Sequence, residues 1–163
     1  MLTDADVLAF YDRASGEVYR YASRLVGGNR SRADDLVQET FLTLVRQMRA
    51  GRTEPVDVGW AIATCRSRFL DQLRRHERSE RTHRRAFERR GGDATDSPTR
   101  ATEALARLGD AQRAALVLRY VDDLPVADVA AALGRSIHAT ESLLTRARES
   151  LRTEYTGTEG GDR

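Results

Sequence analysis

The sequence predicts an all-α protein: two small helical domains joined by a flexible linker, the second domain a helix-turn-helix. Three observations carry that prediction. Apolar residues recur every three or four positions through most of the chain, and no alternating strand pattern of useful length appears. The apolar residues are mostly Ala, Leu and Val, of which Ala and Leu favour helix, and only three prolines interrupt 163 residues. From about Glu77 to Thr102 the periodicity lapses, and Gly91-Gly92 and Ser97-Pro98 give that stretch the composition of a linker. The expected division is a first domain over 1–76, a linker over 77–102, a second domain over 103–155 and a frayed tail over 156–163. With 40% hydrophobic residues the chain can bury a core.

Each element has its own signal. Val7, Phe10, Tyr11 and Ala14 make one short helical face, with Thr3 or Asp4 as its cap. Val18, Tyr21, Ala22, Leu25 and Val26 make a second, ended by Gly27-Gly28. Ser31 suits the N-cap of a third helix, with Asp34 and Asp35 in its first turn and Leu36, Val37, Phe41, Leu44, Val45 and Met48 inside. Gly51 and Pro55 break the chain across Arg49–Asp57. A fourth helix starts near Val58, with Val58, Ile62, Cys65, Phe69 and Leu73 as its stripe. Helical character can persist into the start of the linker. Beyond it, Leu105 and Leu108 share a face. Asp110 suits the N-cap of a helix that buries Leu116, Val117, Tyr120 and Val121, and Asp122-Asp123 marks a turn. Pro125 opens a helix burying Val126, Val129, Ala130 and Leu133, which Gly134 ends. Ser136 caps a last helix with Ile137, Thr140, Leu144, Ala147 and Leu151 inward. Four helices are expected on each side of the linker.

Charge and composition narrow the function. The net charge is +2 and every basic residue is arginine. Between Arg66 and Arg90, ten arginines face four acids, +6, which leaves −4 for the rest. Such an asymmetry suggests a polyanionic partner at that segment. Residues 103–155 carry seven arginines and eight acids, −1. Non-specific affinity for DNA comes mainly from neutralised phosphates, so this second domain should bind DNA poorly alone. The single cysteine, Cys65, rules out an internal disulfide and a multi-cysteine zinc site, and its place on an apolar stripe makes it a core residue. His76, His83 and His138 show no metal-ligand spacing. No nucleophile motif or phosphate loop stands out, and a helix start and a turn account for Asp34-Asp35 and Asp122-Asp123. Neither metal, cofactor nor catalysis is expected. The N-terminus MLTDADVLAF lacks the features of a signal peptide, and no run of eighteen apolar residues occurs, so a cytoplasmic chain without membrane insertion is expected.

Three stretches carry specific chemistry. ADDLVQETFLTLVRQ sets Asp35, Gln38, Glu39 and Leu42 on a mostly polar face opposite Phe41 and Leu44, either a solvated face or a docking surface. The helix from Val58 ends in Arg66, Arg68, Arg74 and Arg75. With Trp60 beside the Arg49–Asp57 loop, it suits a nucleic-acid backbone and unstacked bases. VADVAAALGRSIHATESLL has the outline of a helix-turn-helix, whose second helix usually enters the major groove. Its first half, however, carries Glu141 and Leu143 where groove readers usually present Arg, Lys, Asn or Gln. Glu141 can accept from a cytosine N4, and Leu143 can touch a thymine methyl.

Taken in order, these stretches resemble the bacterial sigma factors of the sigma-70 family, in particular the small extracytoplasmic-function group, over about Val7 to Leu151. DDLVQETFLTLVR is similar to region 2.2. Trp60, Arg66, Asp71, Leu73, Arg74 and Arg75 match regions 2.3 and 2.4. LRYVDDLPVADVAAALGRSIHATESLLTRARESLR is similar to region 4.2. The resemblance implies a specificity subunit of core RNA polymerase that directs initiation at promoters. Asp34, Asp35, Gln38, Glu39 and Leu42 would dock on the β′ clamp helices. Trp60, Arg66, Ser67, Asp71, Arg74 and Arg75, with the Arg49–Asp57 loop, would read the −10 element and help melt it, holding a flipped base of the single strand. Arg135, Ser136, His138, Glu141, Ser142, Thr145 and Arg146 would meet the −35 element while the same domain grips the β flap. Arg148 would join them at phosphates. The resemblance also admits an anti-sigma factor as a partner. The sequence departs from the family at Ser67, where Asn is common, and at Ala139–Leu144, where the usual Thr-Val-Lys-Ser-Arg-Leu loses two positive charges. The alternative is a stand-alone helix-turn-helix regulator, or a sigma-like protein that binds polymerase without directing initiation. A stand-alone regulator has no use for the DDLVQETF surface.

Overall fold

In the computed structural model, which describes residues 2–83 and 99–157, the elements are helical throughout. Most of the expected linker, and the tail from 158, lie outside the described residues. Helix α1, Asp4–Leu25, opens on a reciprocal cap. The Thr3 N–H donates to Asp6 Oδ2 at 2.8 Å and the Asp6 N–H to Thr3 Oγ1 at 3.3 Å. The Thr3 hydroxyl, donating to Asp6 Oδ2 at 2.7 Å, and then the Thr3 N–H hold the Asp6 carboxyl below its ordinary pKa. The two short helices expected here are one. Phe10, Ala14, Val18, Tyr21, Ala22 and Leu25 form a single unbroken stripe, and one mid-helix glycine, Gly16, lowers propensity without stopping it. Helix α2, Arg30–Arg49, is capped by Asn29, whose Oδ1 accepts from the Arg32 N–H at 3.1 Å, and not by Ser31. Asp34 and Asp35 therefore lie beyond the first turn, where the pull of the helix dipole has faded. Helix α3, Val58–His83, starts where Asp57 Oδ1 accepts from the Trp60 N–H at 2.7 Å, and it continues past residue 77.

These three helices close around Phe10, Val18, Leu25, Leu36, Phe41, Leu44, Cys65 and Phe69, all buried. Thr40, also buried, keeps its hydroxyl satisfied by donating to the Leu36 carbonyl at 2.7 Å. Cys65 lies in this core, as its place on the stripe predicted. The first half thus holds three helices rather than four.

The second half holds α4 (Arg100–Ala106), α5 (Asp110–Leu116), α6 (Val126–Leu133) and α7 (Ile137–Gly157). Gly109, not Asp110, takes the N-cap position of α5, because the Asp110 carboxylate is committed to arginines. Helix α5 runs on into a π-helical turn, Val117–Val121, where the Asp122 N–H reaches the Val117 carbonyl at 3.0 Å. That wider turn shifts the stripe. Leu116, Val117 and Leu118 are buried in succession, whereas Tyr120 and Val121, expected inside, are 56% and 49% exposed. Ile137 is likewise exposed: the buried stripe of α7 is Thr140, Leu143, Leu144 and Ala147, and Ile137 falls off its N-terminal end. Between α6 and α7 the turn is as the sequence predicts. Gly134 adopts φ +65°, the Arg135 N–H reaches back to the Ala130 carbonyl at 2.9 Å, and Ser136 Oγ accepts from the Ala139 N–H at 3.1 Å.

The two halves pack on each other, α1 against α5 and α3 against α6, and their buried residues form one continuous cluster. The seam is rich in arginine. Arg113, 3% exposed, donates through Nε to the Leu25 carbonyl at the end of α1 (2.8 Å), through Nη1 to the carbonyls of Leu108 (2.8 Å) and Leu105 (3.4 Å), and through Nη2 to Asp110. Arg32 on α2 makes a two-pronged pair with the same Asp110, both contacts at 3.1 Å. Asp122 accepts from the Tyr21 hydroxyl at 2.7 Å and pairs with Arg66 at 3.3 Å. Burial, and then the bond to Asp122, push the Tyr21 phenol well above its ordinary pKa. Arg74 donates to the Ala132 carbonyl at 3.0 Å, and Arg135 pairs with Glu77 at 2.9 Å.

Two predictions follow from this packing. At Gly134 an added Cβ meets nothing within 4 Å, so Gly134→Ala carries only the backbone penalty of the left-handed conformation, about 1–2 kcal/mol. At Gly27, also left-handed at φ +64°, a Cβ would stand 2.9 Å from Arg113 Nη1 and 3.1 Å from the Ala106 Cα. Denaturant unfolding should therefore rank Gly27→Ala as the costlier change; equal losses would contradict the close approach. For Cys65, burial pushes the thiol up to about 11. At pH 8 the native thiolate fraction is then about a hundredfold below that of a free cysteine. Alkylation of the native chain should be slow and should accelerate with pH toward 11, and denaturant should abolish the protection. Rapid labelling at pH 8 without denaturant would contradict the burial.

Candidate nucleic-acid interface

Helix α2 divides cleanly. Ala33, Leu36, Val37, Thr40, Phe41 and Leu44 turn inward. Phe41 meets Phe10 and Tyr11 of α1, with ring centroids 5.8 and 4.7 Å apart. That inward packing leaves Asp34, Asp35, Gln38 and Leu42 exposed and Glu39 half-buried. These five make a continuous stripe of three carboxylates, an amide and an apolar tip, because residues three and four apart share a helix face.

The second candidate surface joins α3 to the loop before it. Trp60 is half-buried against the core, and Arg52 of the loop lays its guanidinium over the ring, 5.4 Å from the centroid. Arg52 is held in place by Gln47 Oε1 at 2.6 Å and by the Glu54 carbonyl at 3.3 Å. A cation on an indole face at a surface contributes about 0.5–1 kcal/mol, enough to bias the loop without locking it. Ser67 and Arg75 are exposed, and Arg75 Nε donates to the Asp71 carbonyl at 3.3 Å. Arg68, Asp71, Arg74, Arg75 and Arg78 line one shallow, open depression, a geometry suited to a phosphate. Arg66 turns away into the seam, and Arg74, at the edge of the depression, sends its Nη2 there as well. There Arg74 Nε is buried without a hydrogen-bond partner among the described residues, a flaw that costs about 1–3 kcal/mol.

The third surface is the outward face of α7. His138, Glu141, Thr145, Arg146 and Arg148 are exposed. Ser136 is exposed but works as the helix cap, and Ser142 is half-buried. Thr145 donates to the Glu141 carbonyl at 3.0 Å and Arg146 Nε to that of Ser142 at 3.3 Å, so both side chains lie along the helix. Leu143 is buried at 5% exposure, which removes it as a contact to a thymine methyl: it is a core residue between Thr140 and Ala147. Arg135, expected at a phosphate, is engaged with Glu77.

The structure therefore keeps the α2 stripe and the α7 face open while joining Arg66, Arg74 and Arg135 to the opposite half. Sequence reasoning missed Arg113, Asp110, Asp122, Glu77 and Arg52 as partners. Arg113 left one trace, an arginine on an apolar stripe three residues after an aspartate. Among the described residues, no cluster of His, Cys, Asp or Glu could hold a metal ion, and no helix is long and apolar enough to cross a membrane.

Comparison with known proteins identifies the family. Residues 10–79 match the family model of sigma-70 region 2, and residues 99–151 match that of sigma-70 region 4. The ECF RNA polymerase sigma factor BldN of Streptomyces coelicolor is 30% identical over 151 residues, which cover 86% of this chain and 57% of BldN. This chain thus spans little more than half of BldN's length. The ECF RNA polymerase sigma factor SigC of Mycobacterium tuberculosis is also 30% identical, over 88% of this chain and 80% of SigC. Among solved structures, the sigma factor RpoE in complex with the anti-sigma factor NepR from Bartonella quintana shares the fold. Its TM-score is 0.53 at 23% identity, over 94% of this chain and 96% of that one. The chain belongs to the extracytoplasmic-function RNA polymerase sigma factors, with region 2 in its first half and region 4 in its second.

Proposed function

We propose that this chain binds core RNA polymerase and directs initiation at a defined set of promoters. The observation that carries the reading is the order of the parts: region 2, with its exposed acidic stripe on α2, precedes region 4, with its helix-turn-helix, in one chain. Asp34, Asp35, Gln38, Glu39 and Leu42 dock on the β′ clamp helices. Charge and exposure support this, since among the described residues no hydrogen bond or ion pair engages the side chain of Asp34, Asp35 or Gln38. Trp60, Ser67, Asp71 and Arg75 meet the −10 element and its melted strand, together with Arg66 and Arg74 once these are released. Base stacking on Trp60 and the arginine-lined depression on α3 suit a single strand. His138, Glu141, Ser142, Thr145 and Arg146 face the −35 element, with Ser136 fixing the helix start and Arg135 at the backbone, while the same domain grips the β flap.

The chain works by binding and positioning, as a cytoplasmic partner of the polymerase, and is not itself the catalyst. Region 4 sums to −1 over residues 103–155, so its DNA affinity depends on being delivered by the rest of the complex. An anti-sigma factor is a further partner class, by analogy with the RpoE–NepR complex.

Two experiments test this. The double variant Asp35→Arg, Glu39→Arg reverses two surface charges and should fold normally. It should lose retention on immobilised core polymerase, and normal retention would reject the α2 docking surface. Glu141→Lys should change the preferred bases at the −35 element in transcription from a randomised promoter pool. An unchanged base profile would mean that Glu141 does not read sequence.

A further inference from the structure

The π-helical turn at Val117–Val121 rolls Tyr120 out of the core, and the ring lands between two arginines. Its hydroxyl accepts from Arg148 Nη1 at 2.9 Å, and the Arg119 guanidinium lies over its face, 5.6 Å from the centroid. Arg148 is held at a second point, where Nη2 donates to Thr145 Oγ1 at 3.3 Å. Arg119 donates through Nη1 to the Leu124 carbonyl at 3.3 Å and stands 3.9 Å from the Asp123 carboxylate. That carboxylate is 95% exposed, so the pair is weak and leaves the charge of Arg119 available to a polyanion. One phenol ring thus gathers two arginines on a domain whose residues 103–155 otherwise offer DNA a net charge of −1.

The cluster stands at the edge of the outward face of α7. Glu141, Thr145 and Arg148 are four and three positions apart, so they share one stripe, and Arg148 lies on the side of it that meets Tyr120. A helix set into a major groove has base edges ahead of it and a phosphate wall along each flank. We propose that Tyr120 is a positioning residue for a phosphate clamp: it aims Arg148 at a backbone oxygen on the flank of the −35 groove and adds its own O–H as a second donor, with Arg119 behind the ring as a supporting charge. This rests on the reading of α7 as the −35 helix and adds to it two residues from outside the helix-turn-helix. The chemistry is consistent. The phenol oxygen accepts from Arg148 and has a proton of its own to give. An arginine already fixed by Tyr120 and Thr145 loses less rotamer freedom on binding than one loose in solvent. A contact to phosphate fixes register and strength and carries no base information. The clamp therefore supplies grip where the recognition helix is short of cations and leaves the choice of bases to α7. The π-helical turn is what makes this possible, since an unbroken 3.6-residue count would place Tyr120 inside.

The clamp is tested in holoenzyme assembled from core polymerase and the full-length chain, bound to a labelled duplex carrying a promoter selected from the randomised pool. Affinity is measured across a series of salt concentrations. Arg148→Gln should weaken binding several-fold at low salt and flatten the slope of log affinity against log salt by about 0.9, the increment of one phosphate contact. Tyr120→Phe keeps the ring under Arg119 and removes only the hydroxyl. It should weaken binding a few-fold in the unmodified chain and have no further effect in the Arg148→Gln background, because the two act as one unit. Both residues are exposed, so both variants should fold. The preferred −35 bases should be the same in all of them. An unchanged salt slope in Arg148→Gln overturns the clamp, as does full additivity of the two changes, which would make Tyr120 a merely structural residue. Loss of retention on core polymerase with the DNA slope intact also overturns it and marks this face as a polymerase contact. Absence of promoter-dependent transcription by the unmodified chain would strike the sigma-factor reading and the clamp together, whereas transcription with an unchanged slope strikes the clamp alone.

Discussion

The guanidinium of Arg113 sets terms that much of the molecule obeys. Arginine does not give up its proton in a protein, so once buried it must be surrounded by acceptors. Burial pulls its pKa down and the adjacent Asp110 opposes that pull, so the group stays charged. Its acceptors come from three places: the last turn of α1, the end of α4 and its following turn, and the first residue of α5. The α4–α5 corner is thereby shaped around one side chain. Asp110 is drawn inward, away from a capping role, to where it can also reach Arg32. Helix α1 must end at Leu25 so that a carbonyl without an intrahelical partner faces the cation, the end of a helix where positive charge is favoured. Gly27 must lack a side chain, because the guanidinium occupies the space that a Cβ would need.

The recognition helix shows a different economy. Its inward stripe is complete, with Leu143 buried beside Thr140, Leu144 and Ala147. Its outward face has to make do with His138, Glu141, Thr145, Arg146 and Arg148. The positive charge of the chain has migrated to α3 and the segment after it. In the proposed function this becomes a division in which one half supplies electrostatic grip and the other supplies geometry.

Much of this was legible in the sequence, for reasons that differ by element. The stripe of α3, its start near Val58, the Gly134 turn and the Ser136 cap were readable because local periodicity and local hydrogen bonds decide them. The α2 face was readable because burying Phe41 and Leu44 leaves Asp35 and Gln38 nowhere to go but outward. Two kinds of feature were not. The π-helical turn at Val117–Val121 breaks the 3.6-residue count without any glycine or proline to announce it, so Tyr120 and Val121 were placed on the wrong side. The seam depends on pairs far apart in sequence, such as Tyr21 with Asp122 or Glu77 with Arg135, and no window of local pattern contains both members. Helix α1 divides into two faces in the sequence, yet in the fold Phe10, Ala14, Val18, Tyr21, Ala22 and Leu25 form one stripe that runs straight through Gly16.

The stacked pair of Arg52 and Trp60 has a practical side. Trp60 is the only tryptophan in the chain, so the whole indole emission originates at one known place. That place lies where the loop before α3 meets the surface assigned to the melted strand, with a guanidinium lying on one face of the ring. Anything that lifts Arg52 away or slides a base into its position alters the polarity around the fluorophore. The protein thus carries a built-in optical reporter at the surface proposed for the −10 element, readable without a label.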